Sequence, residues 1–441
     1  MRRLKARAVG TLVGAGLMLA GTIGIARSSH ESASDSHPIP TQARIRDLDI
    51  EFYQRRIARD PRSAGDYTRL AGLFLQRSRE RDDAHDVLRA ESTARHSLAL
   101  RTGRNAAAFG VLASSLMAQH RFSDALQVTR RLLADDSASV AARSLLAEIQ
   151  LELGQYDEAG RTLGSLVLYS NDLSVAPRLA RWEELHGRPE RARQLLRRAR
   201  DEASGRHGML PEQIAWFHLR LADLALRHGH FSEAERELRS GLQVAPRDHR
   251  LLATLARLEA NRHNWDRAID AGERAMTIAL DPATLGLLSK AYAAKGDSAR
   301  SSEYFRSMQA AVARDLGPYH RAWSVFLLDH GREVDAVLAR AAKELETRRD
   351  IFGYDLLAWA LHKAGRNREA RGAIDQALVL GTRDAALLYH AGVIERALGN
   401  DLAAKAYLGA ALETNPRWDA FQPAAARMTL DSIAAEGKAM S

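Results

Sequence analysis

Residues 221–246 read LADLALRHGHFSEAERELRSGLQVAP, and this stretch decides the fold. Two segments with apolar residues at helical spacing flank a polar turn around Gly229. Ala222 in the first segment and Ala234 in the second have small side chains, which let two helices approach closely. The stretch therefore predicts an antiparallel pair of amphipathic helices.

The same pattern recurs along the chain. A Leu-Ala pair or a close variant is followed after about seven residues by Gly, then by an aromatic residue and an Ala. Successive copies are 34, 33, 42, 34, 33, 35, 34 and 34 residues apart. The small residues that mark these copies are Ala113, Ala147, Ala180, Ala222, Ala256, Ser289, Ser324, Ala358 and Gly392.

A 34-residue period with these positions resembles the tetratricopeptide repeat (TPR). The resemblance covers residues 64–416 and implies an all-α fold, a TPR-type α-solenoid of about ten antiparallel helix pairs. A single pair cannot bury both of its faces, so each repeat needs neighbours. We expect an N-terminal capping helix at residues 44–63 and a C-terminal capping helix and tail at 417–441. The longer step between Ala180 and Ala222 predicts a lengthened loop.

The amino terminus has the pattern of a targeting segment. Within residues 1–26, basic residues come first and an uncharged run follows at residues 9–26. This pattern predicts a cleaved signal peptide or an uncleaved membrane anchor. Residues 27–43 are rich in Ser and Pro, which predicts a flexible polar linker. We therefore expect an exported protein, periplasmic or anchored in the inner membrane through residues 9–26, with the repeats outside the cytoplasm.

Charge and composition limit the function classes. The 441 residues include 64 Lys+Arg and 55 Asp+Glu, giving a formal net charge of +9. Four positive charges belong to residues 1–26, and elsewhere arginines are interspersed with acids. Nucleic-acid binders concentrate positive charge on one face, so we expect no nucleic-acid partner. The chain has no cysteine, which excludes disulfides, thiol nucleophiles and cysteine-bound metals.

The sequence also lacks familiar catalytic motifs. It contains no Gly-rich phosphate loop, no His-Glu-x-x-His and no Gly-x-Ser-x-Gly. We therefore expect a protein that is not an enzyme and that uses no cofactor and no metal. The spacing His228-Gly229-His230 leaves one alternative open, a periplasmic protein that handles a metal or a small ligand. The same histidines flank a predicted turn, where polar residues are expected.

The resemblance places a partner site on the first helix of each repeat, which forms the concave wall of TPR superhelices. If the small residue is position eight, positions two, five, nine and twelve face inward. Asn is absent from position nine, which argues against the subset that clamps chaperone tails. The residues predicted to bind a protein or peptide partner in the groove are Arg181, Trp216, Asp223, Arg257, Lys290, Arg321, Phe352, Trp359, His362, Tyr389 and Arg396.

Two parts of this wall have competing interpretations. Trp359 either contributes to an aromatic groove or packs between adjacent helices. The middle of the wall either holds an acidic peptide segment or forms salt bridges on the helix surface with Glu184 or Asp223. The basic residues there are Arg181, Arg257 and Lys290. The expected function is an extracytoplasmic scaffold that binds a partner in its concave groove during cell-envelope assembly or complex formation.

Overall fold

The computed structural model describes residues 41–314 and 321–439, so the predicted targeting segment and residues 27–40 of the linker lie outside the described residues. Helix α1 (Gln42–Arg59) begins the described chain and α22 (Gln422–Ala439) ends it. Ten helix pairs lie between them: α2 (Ala64–Arg81) with α3 (Ala84–Leu100), α4 (Ala106–Ala118) with α5 (Phe122–Asp135), α6 (Val140–Glu152) with α7 (Tyr156–Gly164), α8 (Ala176–Leu185) with α9 (Pro189–Gly205), α10 (Pro211–Arg227) with α11 (Phe231–Val244), α12 (His249–Asn261) with α13 (Trp265–Met276), α14 (Pro282–Ala294) with α15 (Ser298–Arg314), α16 (Arg321–Asp329) with α17 (Val334–Glu344), α18 (Ile351–Lys363) with α19 (Asn367–Ala377), and α20 (Ala385–Ala397) with α21 (Asp401–Thr414).

We number the pairs as repeats 1 to 10 and call the two helices of each repeat A and B. A single 3-10 turn, Val167–Tyr169, joins repeats 3 and 4, and the described ranges contain no strand. None of the helices in those ranges combines the length and the apolarity needed to cross a membrane. The prediction of an all-α solenoid of about ten repeats is confirmed.

The turn inside every repeat contains a residue with positive φ, which closes the end of helix A. In seven of the ten repeats this residue is the repeated glycine, as at Gly229 with φ of 73°. Asp82, His120 and His263 adopt the same conformation in the other three, with φ of 54°, 56° and 60°. The chain therefore turns at the same point even where glycine is absent.

Aspartates begin several of the inner helices. An aspartate directly precedes each of four inner helices, and its carboxylate accepts hydrogen bonds from amides of the first turn. These are Asp248 before α12, Asp281 before α14, Asp350 before α18 and Asp384 before α20. Such caps satisfy backbone donors that have no partner within the helix. They define where each helix A starts after the loop from the preceding repeat.

The longer step between repeats 4 and 5 extends two helices and not the loop between them. Helices α9 and α10 have 17 residues each, whereas the inner helices α6 and α12 have 13. Residues 206–210 form the connection between α9 and α10. This connection is as long as residues 277–281 between α13 and α14. The expectation of a lengthened loop is therefore wrong, because the added residues continue α9 at its end and α10 at its start.

The superhelix is wound tightly enough for successive turns to touch. The Tyr156 hydroxyl accepts a hydrogen bond from the Ile351 amide at 2.8 Å, although 195 residues separate them. Asn415 Nδ2 donates to the carbonyl oxygens of Leu226 at 2.8 Å and Arg227 at 3.2 Å. Thus the turns inside repeats 3 and 5 rest on the loops that follow repeats 8 and 10.

Glycine permits the closest of these approaches. A Cβ atom on Gly154 would collide with the backbone carbonyl of Arg349, and one on Gly187 would lie 2.6 Å from the Gly381 carbonyl oxygen. Both glycines also have positive φ, at 71° and 68°. At these two positions glycine closes the turn and also lets the next superhelical turn dock.

Candidate binding groove

The inner helices enclose a cavity of about 1610 Å³, which we call the lumen. Its lining comes from α1, from the helices A of repeats 1 to 6 and from the connections that precede repeats 5, 6 and 7. In the next superhelical turn, Phe352 and residues 382–384 complete it. The first turn closes where Gln76 Nε2 donates to Glu212 Oε1 at 3.2 Å. Nearby, His249 Nε2 lies 3.3 Å from the Arg79 carbonyl oxygen. Repeat 1 therefore meets repeats 5 and 6 across the entrance.

Three of the eleven predicted binding residues line the lumen: Arg181, Trp216 and Phe352. Trp216 and Phe352 are half-buried and reach the cavity from different superhelical turns. The Trp216 ring also makes an edge contact with Phe217, at 5.0 Å between centroids. The lumen thus offers two partly accessible aromatic side chains.

Arg181 is engaged in ion pairs within the lumen wall. Its Nη1 atom lies 2.7 Å from Glu148 and 2.6 Å from Glu152. Burial alone lowers the pKa of Arg181, but the two carboxylates outweigh burial and raise it. Burial alone raises the pKa of each glutamate, but the surrounding arginines together outweigh burial and lower it. These arginines are Arg181 with Arg178 at Glu148, and Arg181 with Arg348 at Glu152. Glu184, the expected partner, pairs instead with Arg227 at 2.8 Å.

The other charged residues of the middle wall also have partners. Arg257 forms the expected salt bridge with Asp223 across repeats 5 and 6. Lys290 Nζ lies 3.4 Å from Asp329 and 5.6 Å from the centroid of the Phe326 ring. These contacts link consecutive helices A, so the three groups stabilise the wall itself.

Arg321 connects repeats 8 and 9 through ion pairs. Its guanidinium donates to Glu344 at 2.6 Å and to Asp350 at 2.7 Å. Both carboxylates are buried, and together they outweigh desolvation, so the pKa of Arg321 is raised. A charged group held in this way joins its own repeats through buried ion pairs.

The aromatic residues of the carboxyl-terminal wall lie in packing contacts rather than on an open surface. Trp359 is 3% exposed and Tyr389 is 8% exposed. The Trp359 ring stacks on His390 at 4.1 Å, and its Nε1 donates to Asp329 at 3.2 Å. The expectation of an exposed aromatic groove here is corrected, because neighbouring helices A cover these rings.

His362 and Arg396 complete the predicted set. His362 Nδ1 lies 2.8 Å from Asn367 Oδ1, and burial lowers the pKa of its ring. Arg396 lies 2.6 Å from Asp401 and also pairs with Glu436 on α22. Neither residue lines the lumen, so the structure divides the predicted set among separate places.

Several lumen residues were missed by counting four positions per repeat. Four arginines line the cavity from other positions of helix A: Arg79, Arg178, Arg220 and Arg227. Helices α2 and α10 have 18 and 17 residues, so they extend the wall by about one turn. The apolar pattern gives no signal for the extension of α2, because its last five residues, 77–81, are all polar or charged.

The turn histidines do not converge on a metal site. Across residues 41–314 and 321–439, no three His, Asp or Glu side chains group in a way that could hold a metal ion. His228 Nε2 lies 3.9 Å from Glu184, whereas His230 Nε2 lies 4.0 Å from Glu190. Burial lowers the pKa of His228 to about 4. The two rings therefore face different carboxylates.

Comparison with known proteins identifies the repeats. Tetratricopeptide repeat family models match residues 116–181 and 219–284. No curated protein matches the chain.

Similar solved structures include a tetratricopeptide repeat protein from Parabacteroides merdae, with 17% identity and a TM-score of 0.38, covering 54% of this chain and 92% of that one. The type IV pilus biogenesis factor PilW has 19% identity and a TM-score of 0.40, covering 49% and 97%. The human IFIT1 dimer with PPP-AAAA has 13% identity and a TM-score of 0.46, covering 84% and 94%. With ten stacked helix pairs and two stretches that match the family models, the chain is a tetratricopeptide repeat protein.

Proposed function

We propose that this protein is an extracytoplasmic scaffold that binds a segment of a protein partner in its lumen, in cell-envelope assembly or complex formation. Its TPR repeats are those of a protein-interaction scaffold. The lumen carries the proposal, because about 1610 Å³ exceeds the roughly 300–1,000 Å³ of most small-molecule pockets. A preformed cavity also limits the entropy that binding costs.

The two lumen aromatics are the proposed contact points. Trp216 and Phe352 are half-buried beside the cavity, and aromatic residues contribute a large share of binding energy at protein interfaces. TPR proteins are generally non-enzymatic scaffolds, and we infer the same role here. Recognition alone is therefore the proposed mechanism.

Site-specific crosslinking tests the lumen. A photo-crosslinking amino acid replaces Trp216 or Phe352, and the matched control replaces Tyr169, an exposed aromatic residue outside the lumen. We expect the two lumen positions to crosslink the same partner protein in cells, identified by mass spectrometry, and Tyr169 to miss it. Identical products at all three positions, or none in the lumen, contradict the proposal.

Export is proposed from residues 1–26, whose basic and apolar parts have the order of a secretory signal. A reporter enzyme that is active only outside the cytoplasm is fused to the carboxyl terminus. We expect activity from the full chain and none when residues 2–26 are deleted. Equal activity of the two fusions contradicts export. The mass of the exported chain distinguishes a cleaved signal from an anchor at residues 9–26.

A further inference from the structure

The charge of the lumen is unbalanced. Eleven arginines and eight carboxylates line it, a surplus of three positive charges. Several arginines are neutralised by neighbours in the wall. These ion pairs include Arg181 with Glu148, Arg227 with Glu184, and Arg250 with Asp248.

Other lumen arginines have no such neighbour. Within the part of the chain that the structure describes, no carboxylate lies within ion-pair distance of Arg69, Arg79, Arg220 or Arg247, and their side chains make no hydrogen bond. Arg79 lies near the end of α2 in repeat 1, and Arg220 lies in α10 of repeat 5. The surplus charge is therefore located at specific guanidinium groups.

Arg79 and Arg220 are held in unfavourable surroundings. Arg79 is exposed to the lumen but encircled by protein, and desolvation with repulsion from Arg250 and Arg178 lowers its pKa to about 10. Desolvation, together with repulsion from Arg227 and Arg181, outweighs the attraction of Asp223 and Glu184 and also lowers the pKa of Arg220. Repulsion between neighbouring arginines without a carboxylate at ion-pair distance destabilises the empty protein, and an anionic ligand would relieve that cost.

The remaining lining shows which kind of anion fits. The carboxylates that share the lumen would repel a continuous phosphate backbone, whereas a peptide can space its acids apart. Apolar side chains such as Leu73, Met117 and Trp216 lie on the same wall and suit a segment that also carries apolar residues. The guanidinium fork matches carboxylate geometry.

We propose that the lumen selects an acidic segment of its protein partner, with carboxylates of that segment pairing with Arg79 and Arg220. This inference rests on the proposed function and names the chemistry of the partner. It assigns binding to two arginines that have no ion-pair partner among the described residues, instead of the paired Arg181, Arg257 and Lys290.

Two pools of fluorescent twelve-residue peptides test the inference against the full 441-residue chain. One pool has Glu at four positions among Leu, Ala, Ser and Gly, and the other has Gln at those positions. A twelve-nucleotide oligo-dA serves as the nucleic-acid probe. The test variant is Arg79→Gln with Arg220→Gln. The control is Arg130→Gln with Arg198→Gln, two exposed arginines of outer helices that do not line the lumen.

Fluorescence anisotropy should show at least about tenfold tighter binding of the Glu pool than of the Gln pool, since charge-assisted hydrogen bonds are among the stronger contacts. The test variant should lose that preference while the control keeps it. Equal binding of the pools, an unchanged preference in the test variant, no binding, or stronger binding of oligo-dA each overturns the inference.

Stability gives a second, independent measurement. Removing two cations that neighbouring lumen arginines repel should raise the urea midpoint of the test variant, while the control should stay at the wild-type midpoint. A lower midpoint in the test variant contradicts the unfavourable setting of these arginines. If the test variant still crosslinks the partner at Trp216 with wild-type yield, the scaffold function stands and the acidic-segment inference fails.

Discussion

The glycine in the turn of a repeat can meet two structural requirements, positive φ and room for a neighbouring superhelical turn. Gly154 and Gly365 occupy equivalent turns, with φ of 71° and 76°. Nothing lies within 4 Å of the Cβ position at Gly365, whereas at Gly154 that position is filled by the Arg349 carbonyl group. The two glycines therefore separate the conformational requirement of the turn from the requirement of superhelix docking.

Replacing each of these glycines by alanine tests that separation. Both variants should lose about 1–2 kcal/mol from the left-handed backbone. Gly154→Ala should lose about 1–3 kcal/mol more, because its methyl group displaces the docked loop. Urea unfolding of the two variants measures the difference. Equal losses would show that the contact with Arg349 contributes nothing to stability.

At the scale of elements, the carboxyl-terminal helices A pack through a stacked aromatic group. Trp359 on α18 lies against His390 on α20 and donates to Asp329 on α16, so one side chain joins three repeats. Such burial explains why the indole is unavailable to a partner. It also predicts a structural penalty for its removal.

Trp359→Ala should lower the free energy of unfolding by about 3–5 kcal/mol, the usual range for a buried tryptophan. Arg396→Ala is the comparison from the same predicted site, and the loss of its surface ion pairs should leave the free energy of unfolding close to the wild-type value. Thermal or urea unfolding measures both. A Trp359→Ala variant with wild-type stability would show that the ring is not part of the packing.

The same helices predict a pH effect. Burial lowers the pKa of His390, but Asp355 at 2.8 Å, assisted by the charges of Asp329 and Asp384, outweighs burial and raises the pKa above its ordinary value. A raised pKa stabilises the fold below the unfolded value of about 6.5. That contribution is lost as pH rises through the folded pKa.

The stability difference between wild type and His390→Gln should therefore be larger at pH 5.5 than at pH 9. Urea unfolding at the two pH values measures it. His228 and His362, whose pKa values are lowered, are present in both proteins, so most of their opposing contribution cancels in the difference. A difference that does not change with pH would contradict a charged His390–Asp355 pair.

At the scale of the whole molecule, contacts between superhelical turns close the lumen. Asn415 is fully buried, and its amide nitrogen donates to two carbonyl oxygens of repeat 5. A carboxylate of the same shape cannot donate and would repel both carbonyls. Replacing Asn415 by aspartate should therefore separate the loop after repeat 10 from repeat 5 with a change of only one amide group to a carboxylate.

Asn415→Asp should increase the radius of gyration measured by small-angle X-ray scattering, with unchanged helical content by circular dichroism. Asn171→Asp, on the exposed loop between repeats 3 and 4, makes the same chemical change away from the contact and should leave the radius unchanged. If both variants scatter like the wild type, other contacts hold the turns together.

Sequence reasoning reached the architecture but only part of the groove. The repeated Leu-Ala pair, the turn glycine and the second-helix alanine report contacts between residues that are close along the chain. Sequence reasoning also named Asp223 as a possible salt-bridge partner for the basic residues of the middle wall, and the structure pairs Asp223 with Arg257. It did not reveal Arg79, because α2 runs about one turn beyond the other inner helices. It did not reveal Arg220 either, because that residue lies two positions before Ala222, at position six, which is not among the four counted positions.

The sequence by itself determined the helix pairs, their period and the inner position of helices A, because each repeat contacts mainly its neighbours. Only the tertiary structure decided the winding of the superhelix. Small rotations between repeats accumulate over about six repeats, and their sum brings Tyr156 to Ile351 and closes the lumen. Because of this winding, some lumen arginines lie within ion-pair distance of carboxylates of the described residues, whereas Arg79 and Arg220 do not. The packing of neighbouring helices A also buries Trp359.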